Sequence, residues 1–171
     1  MATSNIFAGS DTTAISTRAI IYHLLKNPSC KTKLVAELDA AREQGKLSFP
    51  VSLAQADSLP YLQAVMYEAL RLHPAVGMSL PRVSPSTGAT IAGKFIPAGT
   101  TVGANPWVIH RDSRVFGDDV EVFRPERWIE KSESESQDGA KGGYGDMQRF
   151  FFAFGSGARM CLGSNISWME M

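Results

Sequence analysis

The chain has 171 residues, 44% of them apolar and 20% charged, with a formal net charge of zero. That length supports one hydrophobic core, and the charge balance lacks the basic stripe of a nucleic-acid binder. No apolar run reaches the roughly 18–20 residues of a membrane span, residues 1–4 do not read as a signal peptide, and Cys30 and Cys161 are too few for a disulfide framework.

In chain order, residues 5–27 place Ile6, Phe7, Ala14, Ile15, Ile20, Ile21, Leu24 and Leu25 at roughly helical spacing. The same span holds Gly9-Ser10-Asp11-Thr12-Thr13, all poor helix-interior residues. Taken alone, that run reads as a cap at Ser10 or Asp11. Asn27-Pro28 ends this helix and starts a second, with Leu34, Leu38 and Ala41 on one stripe and Gly45 as the stop. A third helix is predicted from Ser58 as cap, with Pro60 in its first turn, to the residues before Pro74. Its apolar residues (Tyr61, Leu62, Val65, Met66, Ala69, Leu70, Leu72) cover a broad arc, so the helix should be largely buried.

Beyond it the texture changes. Residues 88–105 alternate β-formers with Gly and Pro turns, predicting short strands and hairpins. Residues 104–112 read as a short helix, 123–128 as an irregular ordered segment, and the polar stretch 130–146 as a mobile surface loop. The fold class is mainly α, of the α+β type.

The most informative stretch is FFAFGSGARMCLGSNIS. Gly155, Gly157 and Gly163 surround Cys161, and Arg159 lies two residues before it. The glycines permit tight turns and close approach of a flat ligand. Backbone N–H groups and Arg159 would favour a thiolate, and the apolar FFAF would keep water away. The bland alternative is a glycine-rich turn beside a buried structural cysteine. Structural zinc needs about four protein ligands; Cys30 stands alone, and His23, His73 and His110 show no ligand spacing with Cys161. An iron held by a macrocycle needs one.

Phe154, Gly157, Arg159, Cys161 and Gly163 together resemble the haem-binding signature F-x-x-G-x-R-x-C-x-G of the cytochrome P-450 family. Three further stretches resemble that family in the right order. Glu68 and Arg71 form E-x-x-R on one helix face. Alone this is a common surface ion pair; on so apolar a helix it is buried and needs further hydrogen bonds, which Arg127 of FRPERW is placed to give. Trp128 stands where the family usually has Phe. Arg82 in LPRVSP resembles the inner-strand arginine of the family, though alone it also reads as a surface strand residue. Ala8 to Thr13 resemble the A/G-G-x-D/E-T-T/S run of the family's long helix. His110 in WVIHRD resembles a family segment as well, with a packing or hydrogen-bonding role and no haem contact.

The resemblance implies the C-terminal portion of the cytochrome P-450 fold, with residues 1–171 a partial haem domain truncated at both ends. It implies haem b with Cys161 as axial iron ligand, Arg159 and Arg82 on its propionates and Phe154 against the porphyrin. Gly157 and Gly163 complete the signature, and Glu68, Arg71 and Arg127 form a structural lock behind the haem. Gly9 would leave room for O₂, while Thr12 and Asp11 would move protons. The implied activity is a haem-thiolate monooxygenase placing one atom of O₂ in a small lipophilic organic substrate and the other in water. Electrons would come from NAD(P)H through a reductase. The implied location is the cytosolic face of the endoplasmic reticulum, through an N-terminal anchor preceding these residues. The sequence is similar to filamentous-fungal members of the pisatin demethylase group. Two other readings stand beside this one: a truncated, non-catalytic haem-site fragment, and a structural module with a buried cysteine.

Overall fold

The computed structural model describes residues 2–129 and 144–171. Helix α1 (Ala2–Lys26) runs unbroken through Gly9 to Thr13, so no cap forms inside it. Asn27 closes it by donating from Nδ2 to the His23 carbonyl at 2.8 Å. Pro28 then opens α2 (Pro28–Glu43). Gly45, at φ 67°, turns the chain out of α2. There Gly45 N–H donates to the Arg42 carbonyl and Lys46 N–H to that of Ala41, the paired bonds of a Schellman ending.

The expectation that Ser58 caps the third helix is corrected. A short helix α3 (Leu53–Asp57) comes first, capped by Ser52 in a capping box with Gln55, and Ser58 closes it. Helix α4 (Pro60–Leu72) has Leu59 at its N-cap with no side-chain cap. Its cap arrives from α2, where Glu37 accepts from the N–H groups of Tyr61 at 2.8 Å and Leu62 at 2.9 Å. A carboxylate suits that position because it satisfies orphan donors and opposes the helix dipole.

Strand β1 (Leu80–Val83) pairs antiparallel with β4 (Thr101–Ala104), Leu80 opposite Ala104. Strands β2 (Ala89–Ile91) and β3 (Lys94–Ile96) form a hairpin. Its two turn residues, Ala92 and Gly93, both have positive φ, as a twisted two-residue hairpin requires. Helices α5 (Pro106–Ile109) and α6 (Ser113–Phe116) are capped by Asn105 and Asp112. Of the stretch 130–146 read as a loop, residues 130–143 lie outside the described residues. Tyr144 already opens α7 (Tyr144–Arg149), which buries Met147 completely. A 3₁₀ turn (Gly157–Arg159) and α8 (Ser164–Glu170) follow.

The core is built around α4. One side packs Val65, Met66, Ala69 and Leu72 against Ile20 of α1, Cys30 and Leu34 of α2, and Phe123. The other side sets Ala64 against Phe116, Trp128 and Met147. Each such aliphatic or aromatic side chain contributes about 1.5–3 kcal/mol on burial. With both sides covered, Glu68 and Arg71 on α4 have no route to water: both are fully buried, as is Arg127.

Glu68 is satisfied by five donors. Its Oε1 accepts from Arg71 Nη2 at 2.8 Å, Arg127 Nε at 3.0 Å and Arg124 N at 3.0 Å. Its Oε2 accepts from Arg71 Nε and Trp128 Nε1, both at 2.9 Å. The guanidiniums spread outward in turn. Arg71 donates to the carbonyls of His110, Val120 and Val122, and Arg127 to Asp119 Oδ1 at 2.8 Å and to the Phe116 carbonyl. Burial alone would raise the Glu68 pKa, but the hydrogen bonds and charges of Arg71 and Arg127 overcome it and hold it below its ordinary value. Burial also opposes ionisation of Asp119, yet Arg127 and Arg124 bring its pKa down to about 2.

His110 is fully buried beside this network. Its Nε2 accepts the Phe152 N–H at 2.8 Å, so the ring proton sits on Nδ1 and donates to the Arg71 carbonyl 3.0 Å away. Desolvation, with the charges of Arg71 and Arg111, lowers its pKa from 6.5 to about 4 against the opposing pull of the Arg71 carbonyl bond.

Two outcomes follow from this core. Glu68→Gln keeps the shape but strands buried guanidinium charge, and should cost about 3–5 kcal/mol in urea unfolding at neutral pH. For His110 the folded state resists a proton that the unfolded chain accepts. The contribution is therefore whole above the unfolded value of 6.5 and is lost as pH falls toward 4. Unfolding between those limits should lose on the order of 3 kcal/mol of stability, and His110→Gln should remove that component of the slope.

Candidate active site

A cavity of about 310 Å³ lies between α1 and the loop that carries Cys161. One wall is α1, with Ala8, Thr12, Thr13 and Ser16; the opposite wall is Phe152 to Gly155 with Arg159 and Cys161. Leu70 of α4, Ala75, Val76 and the β1 residues Leu80 and Arg82 close the side. Most of these side chains present hydrocarbon.

Local turn chemistry shapes the cysteine wall. Gly155 at φ 73° and Gly157 at φ 69° adopt left-handed backbone that side-chain-bearing residues resist. Gly155 N–H donates to the Phe152 carbonyl at 3.0 Å, and Cys161 N–H returns to the Phe154 carbonyl at 2.9 Å. Residues 152–161 thus form a closed loop with the cysteine at its end. A Cβ on Gly163 would lie 3.9 Å from Cys161 Sγ, so glycine leaves that approach to the sulfur bare. Phe154 is held by Trp168 at 5.7 Å between ring centroids, and Trp168 in turn packs on Tyr67 of α4.

Both cysteines are free, Cys30 buried and Cys161 exposed. This corrects the reading of Cys161 as a buried structural residue and of FFAF as its water shield: Phe152 and Phe154 form the cavity wall beside the sulfur without covering it. Arg82 and Arg159 are exposed and line the same cavity. Arg82 donates to its neighbour's carbonyl, Pro81 O, at 2.8 Å. Neither guanidinium has a carboxylate partner among the described residues, so among these the slot's two positive groups are uncompensated. Among those residues no three His, Cys, Asp or Glu side chains converge on a metal site.

Thr12 faces the cavity from α1, with its hydroxyl donating to the Ala8 carbonyl at 2.7 Å. Ser16 and Thr17 make the same i−4 bond, to the carbonyls of Thr12 and Thr13. Such bonds satisfy a hydroxyl inside a helix. Thr13 also reaches Ser167 Oγ on α8 at 3.4 Å, tying the two walls together. Gly9, which has no side chain, and Asp11 are not among the lining residues; Asp11 is exposed and lies about 100° around the helix from Thr12, while Gly9 shares the helix face of Thr12 and Thr13. A Cβ on Gly9 would meet nothing within 4 Å.

The structure therefore brings Thr12, Arg82, Phe154, Arg159 and Cys161 to one cavity. It places Glu68, Arg71 and Arg127 in the core behind it. Sequence reasoning missed the link between the two, the His110 ring that holds Phe152 N–H. The sequence had given His110 a packing or hydrogen-bonding role, but nothing local names Phe152, 42 positions away, as its partner.

The cytochrome P450 family model matches residues 1–171. The chain is 48% identical over 170 residues, 99% of its length, to the cytochrome P450 monooxygenase cicH of Emericella nidulans, covering 32% of that protein. It is 46% identical over 98% of its length to a pisatin demethylase of Fusarium vanettenii, covering 30% of it. With the cytochrome P450 monooxygenase hepC of Aspergillus oryzae the identity is 44% over the whole chain and 32% of the relative. The chain thus spans about a third of the length of these curated relatives.

Proposed function

This chain belongs to the cytochrome P450 family, and on that premise we propose that residues 1–171 form part of the haem domain of a haem-thiolate monooxygenase. The observation that carries the proposal is the shared cavity of Cys161, Thr12 and two arginines that have no carboxylate partner among the described residues. A haem offers an apolar face, two propionates and an iron open to one protein ligand; the slot offers hydrocarbon walls, Arg82 and Arg159, and an accessible thiol. The donor set fits. Family members ligate haem iron through a cysteine thiolate, and Cys161 is that ligand here.

Each residue then has a task. Arg82 and Arg159 hold the propionates by charge-assisted hydrogen bonds. Phe154 packs on the cysteine side of the ring, and Gly157 and Gly163 let the loop approach it closely. Glu68, Arg71 and Arg127 brace α4 behind the site. Bound haem supplies the redox-active iron at which O₂ is reduced, one oxygen atom going to an organic substrate and the other to water. On the opposite wall, Thr12 exchanges its Ala8 carbonyl bond for one into the cavity and passes protons there. Gly9 keeps the adjacent turn free of side-chain bulk, and exposed Asp11 collects protons from solvent.

The substrate class is a small lipophilic molecule of fungal secondary metabolism, a reading supported by likeness to fungal monooxygenases and a pisatin demethylase. Electrons come from NAD(P)H through a reductase. No described helix is long and apolar enough to cross a membrane; the location proposed for the whole protein is the cytosolic face of the endoplasmic reticulum membrane. Because these residues match about a third of the relatives' length, turnover is assigned to the whole protein, and this chain supplies part of its haem site.

Haem titration of the chain, followed by reduction and CO, tests the proposal. The expected result is the red-shifted Soret band of thiolate-ligated iron, absent from Cys161→His. Arg82→Leu and Arg159→Leu should each weaken haem binding about tenfold or more, the loss of one charge-assisted hydrogen bond. Haem uptake with an ordinary Soret position, indifferent to Cys161, would overturn the assignment.

A further inference from the structure

We propose that His110 is a positioning residue for Cys161, acting through the amide of Phe152. The inference rests on the haem-thiolate reading above. His110 lies at the end of α5, 51 positions before the cysteine in sequence, yet its ring touches the root of the cysteine loop. Its Nε2 accepts the Phe152 N–H at 2.8 Å and its Nδ1 faces the Arg71 carbonyl at 3.0 Å. Its own carbonyl accepts from Arg71 Nη1 at 2.9 Å. Arg71 therefore grips His110 from both ends.

The ring has little freedom. It stacks on Phe151 at 5.4 Å with an interplanar angle of 10°, and meets the edge of Phe116 at 5.9 Å. One tautomer satisfies both nitrogens. Nε2 must be bare to take the Phe152 N–H, so the proton on Nδ1 goes to the Arg71 carbonyl. A second ring proton would set donor against donor at Phe152.

Phe152 is where this hold reaches the sulfur. Its carbonyl accepts from Gly155 N–H, and the Phe154 carbonyl accepts from Cys161 N–H. With glycines at 155 and 157 in left-handed conformations, the loop is closed at both ends by backbone bonds. The end at 152 is anchored to the core by the imidazole. Glu68, Arg71, His110, Phe152, Phe154 and Cys161 form one hydrogen-bonded and covalent series from the buried carboxylate to the thiol. Losing the His110 link frees the loop root and lets the sulfur shift.

Asparagine and glutamine separate the two nitrogens. In His110→Gln, Oε1 reaches the place of Nε2 and still accepts from Phe152. In His110→Asn, the amide reaches only the place of Nδ1, keeping the Arg71 carbonyl and abandoning Phe152. The test is amide hydrogen exchange of Phe152 in the full chain, with the CO-bound ferrous Soret position after haem loading. His110→Asn should speed Phe152 exchange at least tenfold and shift the Soret band toward that of iron without thiolate. His110→Gln should match wild type in both. A His110→Asn variant with wild-type exchange and spectrum, or a His110→Gln variant as impaired as His110→Asn, would overturn the inference.

If His110→Asn does not fold, nitrogen NMR of the wild-type chain decides. A bare His110 Nε2 coupled through the hydrogen bond to Phe152 N–H is expected, and a protonated Nε2 contradicts it. A wild-type chain lacking the thiolate spectrum sinks the haem reading and this inference together. A wild-type chain with that spectrum and an indifferent His110→Asn sinks this inference alone.

Discussion

A carboxylate buried at the middle of α4 has no water to solvate it, and much of the described structure is arranged to answer that. Glu68 takes five hydrogen bonds, from Arg71, Arg127, Trp128 and the Arg124 backbone. Those donors come from two separate stretches of chain, so the network can close only when residues 120–128 lie against α4. Uncompensated, a buried charge of this kind destabilises by several kcal/mol. Compensated, it fixes which segments meet and in what register. Trp128 contributes a donor there that the family's usual phenylalanine lacks.

From that centre the order reaches the site by physical contact. Arg71 spends its remaining N–H groups on the carbonyls of His110, Val120 and Val122. His110 passes the hold to Phe152, and the glycine turns carry it to Cys161. The cysteine side of the cavity thus stands on buried, hydrogen-bonded core. The other wall, α1, is joined to it by the Thr13–Ser167 contact. The wall proposed to bear the ligand is the one hydrogen-bonded to the buried core; the wall proposed to move protons is a helix whose hydroxyls bond its own carbonyls.

Much of this was legible in the sequence where the determinants are local. The apolar spacing of α1, α2 and α4 was enough to place them, and Gly45 marked the end of α2 because its left-handed turn is a local demand. Glu68 and Arg71 could be read as buried because the apolar arc around them left no exposed face. What escaped was non-local. Ser58 had the chemistry of a cap, but Glu37 reached across from α2 and made a side-chain cap on α4 unnecessary. The helix start at Tyr144 hid in a polar run because its anchor, Met147, gains burial only against the other side of α4. Asp11 looked like a member of one constellation with Thr12, but consecutive helix positions point about 100° apart, so the two side chains do not face one cavity. The exposure of Cys161 could not be read from its apolar neighbours, since these form a wall beside the sulfur and not a cover over it.

Iron K-edge X-ray absorption of the haem-loaded chain is the most direct measurement on this site. A haem held by Cys161 predicts one sulfur neighbour at the iron beside the porphyrin nitrogens, lost in Cys161→Ser while haem stays bound through Arg82 and Arg159. A wild-type iron shell of nitrogen and oxygen alone would contradict the assignment of Cys161, and so would a sulfur signal that survives the substitution.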